Sequence, residues 1–415
     1  MAQKKEIFRV PKQIRSGSVG IMQDTKKKIV VLAATRTPFG DVGGGLKDMN
    51  PIDLGAHASR GAITQAGLDD MKELIDEAIF GNAMHTSIDS HYGARHVGLR
   101  AGLSNYAPGL TVNRICWSGG EAIQQACNQL VLGESDIVLA GGYESTSQSP
   151  FVIWAAAFGF QYMGNAPTNF LFKDGLFDTF TNLDMMGTAE KLGKLYGITR
   201  EDADEFAYSS QMKAKEAIES GGLAKEITPV VIKGRRGDIV ISEDEHPRPK
   251  TTLQALSMLH AVKPGGVQTG GNSSGIVDGA AALILTTAEK AKELGLKPIG
   301  EIISWAYAGV DPSYMGIGPV PACRMAMKKA GMTLKDIKNI EINEAFAAQY
   351  LAVEREMKLD RNKVNRNGGA IALGHPLGAT GARLVTSLLK LGGIGMASAC
   401  IGGGQGGAMI VEGYN

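Results

Sequence analysis

The 415-residue chain has only four cysteines and 15 prolines, and its charges nearly cancel: 43 Lys+Arg against 42 Asp+Glu leave +1. That balance excludes binding to nucleic acid or to an anionic membrane by bulk charge. Cys116, Cys127, Cys323 and Cys400 form no C-x-x-C, and their spacing fits no zinc pattern. Four thiols in so long a chain point to a reducing compartment with one or more reactive cysteines. The longest apolar stretch, 151–160, is too short to span a bilayer. His85, His91 and His96 lie near one another without a helical i, i+4 pair, so they read as scattered histidines and no metal site is expected. Residues 1–27 are basic and have no apolar h-region, which excludes a secretory signal. They read as a flexible arm. A cytoplasmic location is expected, with the mitochondrial matrix as the alternative, because a basic arm also suits a transit peptide.

What the chain has in excess is glycine: 55 residues, about 13% against a usual ~7%. With no collagen period, those glycines belong in tight turns, close packing and ligand-cradling loops. A hydrophobic content of 44% with 20% charge describes a core-rich globular α/β enzyme, of two or three domains or one large unit.

Strand and helix patterns alternate along the chain, which is the mark of layered α/β folds. Apolar runs at 29–34, 77–83 and 135–142 read as strands, and helices are expected over 51–66 and 121–132. The C-terminal part repeats this order: a strand at 299–309, a helix at 321–330, a strand entered at 337, a helix at 381–391 and two strands within 395–413. Local text repeats too, since "AGLDD…EAIFGN" (66–82) resembles "AGMTLKD…IEIN" (330–343), so the chain reads as an internal duplication. The intervening 148–272 differs in composition. It holds Phe151, Trp154, Phe158, Phe160 and Tyr162, a polar helix at 199–220 and a charged stretch at 234–250, and reads as a lid-like insertion that holds ligand. The expected domains are an arm (1–27), a first half (28–147 with 273–294), a loop domain (148–272) and a second half (295–415).

Four segments carry chemistry. In VNRICWSGGEAI (112–123) a strand ends at Cys116 before a Ser-Gly-Gly turn and a helix, where N–H groups and the helix dipole favour a thiolate. A buried structural cysteine is the plainer reading. In NRNGGAIALGHPLGATGARL (365–384), His375 is fixed among glycines and a proline just before a helix, as the base for a thiol must be. CIGGGQGGAMIV (400–411) sets Cys400 at a strand end before a glycine turn whose N–H groups suit an oxyanion. In INEAFAAQ (342–349), Asn343 either caps the following helix or positions a water or oxyanion.

Together these segments resemble the thiolase family from about residue 28 to 415. GGYEST (141–146), KDGLFDTF (173–180), GNSSGIVDGAAALIL (271–285) and MGIGPVPA (315–322) match its text as well. The resemblance implies a five-layer α/β/α/β/α sandwich built from two βαβαβαββ halves, with a loop domain inserted in the first. It implies a reversible Claisen condensation of two acetyl-CoA to acetoacetyl-CoA and CoA. Cys116 would carry the acyl group, His375 would deprotonate it, and Cys400 would move the α-carbon proton. Asn343, through a water, would join His375 in one oxyanion site, and the N–H groups of Cys116 and Gly402 would form the other. Ser274 would lie near the pantetheine amide, with Met185, Met315, Ala345 and Phe346 lining the acyl and pantetheine channel. Coenzyme A thioesters would be substrates and no cofactor would be permanently bound. A homodimer or homotetramer would be the assembly.

Three departures from the family pattern stand out. Trp117 follows the nucleophile where a small residue is common, and its ring either narrows the pocket or packs outward. Asp184 stands where many short-chain members have histidine. Val262 replaces an aromatic often seen beside the adenine. The alternatives are a 3-ketoacyl-CoA thiolase for longer chains in fatty-acid β-oxidation and a catalytically silent acyl-CoA-binding paralogue, against which the complete Cys, His, Cys and Asn set argues. Decarboxylating ketoacyl synthases share the layered fold but pair their cysteine with His-His or His-Asn, whereas here the late position is Cys400.

Overall fold

The structure is a computed structural model that describes residues 27–414 apart from 155, 157–158, 160–166 and 235–236. The arm over 1–26 and the aromatics Phe158, Phe160 and Tyr162 lie outside the described residues.

Among the described residues the main sheet has ten strands, nine of them in one continuous order. These nine are β1 (Ile29–Arg36), β2 (Glu77–Gly81), β3 (Gly109–Val112), β4 (Ile137–Glu144), β5 (Val277–Thr287), β6 (Gly300–Gly309), β7 (Asn339–Ile342), β8 (Gly393–Ile401) and β9 (Gln405–Gly413). In β1, β4 and β5 every residue is buried. Continuous apolar runs of this kind, without alternation, belong to strands covered by helices on both faces. The strand order is β7-β8-β9-β6-β1-β5-β4-β2-β3, and the short pair Gly40–Asp41 is added on β5. Within it, β2 runs parallel to β4, which is antiparallel to β5, which is antiparallel to β1. The second half repeats that sense with β7, β8, β9 and β6, and β1 meets β6 at the join. The duplication read from the text is therefore a duplication of topology.

The helices form three layers around these two half-sheets. On the outside of the first half lie α1 (Pro51–Gln65) and α2 (Gly93–Ala101), whose apolar faces share one core with Val30, Leu32, Leu139 and Ile284. Asn50 caps α1 by accepting from the Ile52 N–H, and Pro51 fills its first position, where a missing N–H costs nothing. Between the half-sheets run α3 (Ser118–Leu132) and α8 (Leu377–Leu391), and their core joins residues of β1, β4, β5, β8 and β9. Outside the second half pack α6 (Pro319–Ala330) and α7 (Ala347–Met357). From the insertion, α4 (Met185–Tyr196) and α5 (Arg200–Glu219) lie against α7. Thr199 and Asp202 close a reciprocal capping box at the start of α5.

Trp117 settles into the middle layer. Its ring is buried in the core between the half-sheets, and a Cβ at Gly120 or Gly407 would come within 2.2 or 2.5 Å of it. Cys116, one residue earlier, belongs to a separate small cluster with Met84, Leu171 and Leu377. The bulky ring therefore packs into the middle core and not into the cluster around Cys116.

Candidate active site

The nucleophile turn differs from the expected strand-end elbow. Strand β3 stops at Val112, and Cys116 sits in a tight turn, Ile115–Trp117, that leads straight into α3 at Ser118. Local polar groups hold the turn. Asn113 Oδ1 accepts from the Ile115 N–H at 2.9 Å, Ser118 Oγ accepts from the Arg114 N–H at 2.9 Å, and the same hydroxyl donates to the Ile115 carbonyl at 2.7 Å. Ile115 takes a φ of 47°, in the left-handed region that a β-branched residue avoids, at a cost of about 1–3 kcal/mol. That kink turns the Cys116 sulfur towards the second half. There the backbone N–H of Gly402 favours the charged form of the sulfur.

A helix start by itself favours a thiolate. Burial outweighs it: desolvation pushes the Cys116 thiol up to about 11, the backbone of Gly402 and of Cys116 itself works against that rise, and the charge of Glu144 adds to it. His375, also buried, is held down to about 3, first by burial and second by the positive charge of Arg383. The resting pair is thus a neutral thiol and a neutral imidazole, not an ion pair. Thiolate then grows with pH throughout the working range. Alkylation of Cys116 by iodoacetamide, followed by mass spectrometry, should rise about tenfold per unit between roughly pH 7 and 9. A plateau reached near neutrality would contradict this.

His375 lies two residues before α8, with Pro376 in the cap position. Its Nδ1 is 2.6 Å from Thr380 Oγ1, and that hydroxyl donates to the Pro376 carbonyl at 3.0 Å. Asn343 Nδ2 lies 3.2 Å from His375 Nε2. This chain of donors assigns the proton to Nδ1 and the lone pair to Nε2. Asn343 does not cap the following helix; Phe346 occupies that position. The backbone N–H of Asn343 donates to the Ser398 carbonyl at 2.9 Å, and its Oδ1 is buried without a partner.

Cys400 is fully buried near the end of β8, opposite Gly406 of β9. Burial first, and the neighbouring Cys116 second, raise its thiol well above the usual range. It forms a compact apolar cluster with Met315 and Ala345, against which Met185 and Phe346 pack. Gly402 completes the join, since a Cβ there would stand 3.1 Å from the Met185 sulfur. The structure thus brings Cys116, Cys400, Gly402 and Met185 to one place, and joins His375 to Asn343. Leu377, two residues after His375, packs in the same cluster as Cys116.

Ser274 is half-buried, and its N–H donates to the Ala345 carbonyl at 3.0 Å. The segment around Ser273 pairs with Phe346, so the serine loop lies along the channel residues. Asp184 has a local task, accepting from the Gly187 N–H at 2.6 Å as the cap of α4 and pairing with Lys263 at 2.7 Å. Val262 is 58% exposed. Among the described residues no three His, Cys, Asp or Glu side chains are grouped to hold a metal ion.

Three residues escaped the sequence reading. Thr380 orients the imidazole. Glu344, beside Asn343, is buried and accepts from Ser210 Oγ, Asn365 Nδ2 and the Ile371 N–H, tying α5 to the loops around His375. Glu144 sits at the end of an otherwise apolar strand, and that lone acid in a buried run was a signal available in the text.

Comparison with known proteins covers nearly the whole chain. The model for the thiolase N-terminal domain matches residues 29–289, and that for the thiolase C-terminal domain matches 296–413. The mitochondrial 3-ketoacyl-CoA thiolase of Bos taurus is 44% identical over 390 residues, spanning 92% of this chain and 98% of its own. The acetyl-CoA acetyltransferase of Syntrophomonas wolfei subsp. wolfei is 45% identical over 399 residues, spanning 93% and 99%. Among solved structures, human mitochondrial 3-ketoacyl-CoA thiolase in complex with CoA superimposes with a TM-score of 0.90 at 42% identity, over 94% of this chain and 98% of that one. The Bacillus anthracis acetyl-CoA acetyltransferase gives the same TM-score and identity over 94% and 99%.

Proposed function

The chain belongs to the thiolase family, and on that premise we propose that it joins two acetyl-CoA molecules into acetoacetyl-CoA and free CoA, reversibly, as an acetyl-CoA C-acetyltransferase. One observation carries the short-chain reading. Both thiols are walled in by side chains, Cys116 by Met84, Leu171 and Leu377, and Cys400 by Met315, Ala345 and the flanking Met185 and Phe346. That packing suits a two-carbon acyl group.

In this reading the sulfur of Cys116 attacks the carbonyl carbon of acetyl-CoA while its proton passes to His375 Nε2. The N–H groups of Cys116 and Gly402 hold the developing oxyanion. The thioester bond to CoA breaks, and the leaving CoA sulfur takes the proton from His375. Cys400 then hands its thiol proton to the freed Nε2 of His375. The resulting Cys400 thiolate takes an α-proton from a second acetyl-CoA, whose enolate oxygen is held by the Nε2–H of His375 and by a water on Asn343. The resulting carbon nucleophile attacks the acetyl-Cys116 carbonyl, the carbon–carbon bond forms, the S–C bond to Cys116 breaks, and the Cys116 sulfur takes the proton back from His375 Nε2. Ser274 and the α4 side of the insertion would receive the pantetheine arm. Coenzyme A enters as substrate at both steps, and no permanent cofactor is required.

A second reading is favoured by the relatives named 3-ketoacyl-CoA thiolase at 44% identity, and by Asp184 in place of histidine. It assigns longer 3-ketoacyl chains to the same site. Thiolysis of acetoacetyl-CoA against 3-ketohexadecanoyl-CoA, each with free CoA, decides between the two. We expect kcat/KM to favour the short substrate by about tenfold or more; a preference for the long chain overturns the short-chain reading. The open edge of β3, where Gly109 and Leu110 are exposed, supports pairing with a second copy in a homodimer or homotetramer. A monomer in sedimentation velocity at micromolar concentration would refute that part.

A further inference from the structure

The carboxylate of Glu144 is buried behind the nucleophile, at the end of β4, and both of its oxygens are saturated. Oε1 accepts from Asn82 Nδ2 at 2.8 Å and from the Met84 N–H at 3.1 Å. Oε2 accepts from the Ala83 N–H at 3.1 Å and from the Gly378 N–H at 2.9 Å. Two of the donors border the reactive groups. Met84 packs in the same cluster as Cys116 and Leu377, and Gly378 lies in the first turn of α8, three residues after His375. The close approach that allows this is built in: a Cβ at Gly142 would come within 1.9 Å of the Gly378 carbonyl oxygen, and one at Gly378 within 2.4 Å of the Tyr143 carbonyl oxygen.

We propose that Glu144 is a positioning residue of the active site, whose ionised carboxylate clamps the loop 82–84 on the Cys116 side to the helix start that follows His375, and so sets the geometry between nucleophile and base. The inference rests on the Cys116–His375 chemistry given above. All four partners of the carboxyl group are N–H donors, so the ionised form satisfies every one of them, whereas a protonated carboxyl would turn its own O–H against a donor. Burial works the other way and raises the group, but its four hydrogen bonds oppose that rise. Since a protonated carboxyl would leave one of the four N–H groups without an acceptor, this geometry holds the ionised form. An anion at this place also raises the Cys116 thiol. It therefore makes the nucleophile harder to ionise, and its contribution has to come from geometry. The clamp joins residue 144 of the first half to residue 378 of the second, across the interface on which the two reactive groups must meet. The Gly378 N–H is also one of the donors at the start of α8 that a helix leaves without a partner of its own, a place where a carboxylate is favoured.

The test uses the full-length enzyme in steady-state thiolysis of acetoacetyl-CoA, with acetylation of wild-type Cys116 measured first. Glu144→Gln keeps the shape but turns an NH2 group against N–H donors. We expect kcat to fall about 10–100-fold with KM changed less than about threefold, because misplacement by around 1 Å of groups that are still present acts on the chemical step. Glu144→Asp keeps the charge on a shorter arm and should recover part of the loss. A Gln variant within twofold of wild type overturns the proposal. So does a Gln variant whose KM rises as much as its kcat falls, or an Asp variant no better than Gln. Should Glu144→Gln not fold, Asn82→Ala carries the test. It keeps the carboxylate and three donors, and we expect a roughly 3–10-fold lower kcat at unchanged KM; an unchanged kcat overturns the clamp. Absence of an acetyl adduct on wild-type Cys116 would instead refute the nucleophile assignment, which separates the two failures.

Discussion

Replacing Cys116 by alanine is expected to abolish thiolysis and condensation alike, lowering kcat by about 10⁴-fold or more. The acyl group has nowhere else to go. Cys127 is fully buried in the core between the half-sheets and Cys323 in that of the second half, each in a different cluster from Cys116. Cys400 lies close by, but its thiol is raised well above the usual range by burial and by Cys116. Intact-mass analysis after incubation with acetyl-CoA provides the direct measurement. The wild-type chain should gain ~42 Da, one acetyl group, mapped to Cys116, and the alanine variant should gain nothing. The loss is chemical and not structural, because Cys116 sits at the edge of a small cluster and truncating it removes little buried area. Thiolysis near the wild-type rate in Cys116→Ala would show that the nucleophile is a different group.

Cys400→Ala should divide the reaction in two. Acyl transfer to Cys116 needs the Gly402 N–H and His375, neither of which depends on the Cys400 side chain. Exchange of labelled CoA into acetyl-CoA should therefore stay within about fivefold of wild type, while acetoacetyl-CoA formation falls about 10²–10⁴-fold for want of the group that takes the α-proton. The turn bearing Gly402 is set by pairing of β8 with β9 around it, Cys400 opposite Gly406 and Ile401 opposite Gln405, and that ladder is made of backbone. Truncating one buried thiol costs stability of roughly 1–2 kcal/mol, too little to unfold a domain of this size. Equal losses in exchange and condensation would mean that Cys400 supports the oxyanion turn and does not act selectively on the α-carbon.

How far the site could be read in advance varied from residue to residue. Cys116, His375 and Cys400 stand in glycine-rich segments at strand and helix ends, and those local patterns singled them out. Asn343 was open between a cap and a positioning role, because both uses ask for a short polar side chain at a strand-to-helix junction. Its contact with His375 lies across 32 residues of sequence and could not be read locally. The acidity of Cys116 went the other way from the local expectation. A helix start favours a thiolate, but the desolvation that opposes it comes from Leu171 and Leu377, distant in the chain. Trp117 likewise could not be oriented without knowing that Gly120 and Gly407 leave room for its ring on the far side.

By itself, then, the sequence determined the alternation of buried strands and helices, the duplicated order, and the residue types that carry acyl-transfer chemistry. These follow from periodicity, capping and turn preferences, which act over a few residues. Only the tertiary structure decided which groups meet: Gly402 with the sulfur of Cys116, Asn343 with His375, and the carboxylate of Glu144 with both halves. It also decided the protonation states, a neutral thiol at Cys116 and a neutral imidazole at His375. Burial is the cause, since desolvation depends on everything packed around a group, and most of what surrounds this site comes from remote parts of the chain.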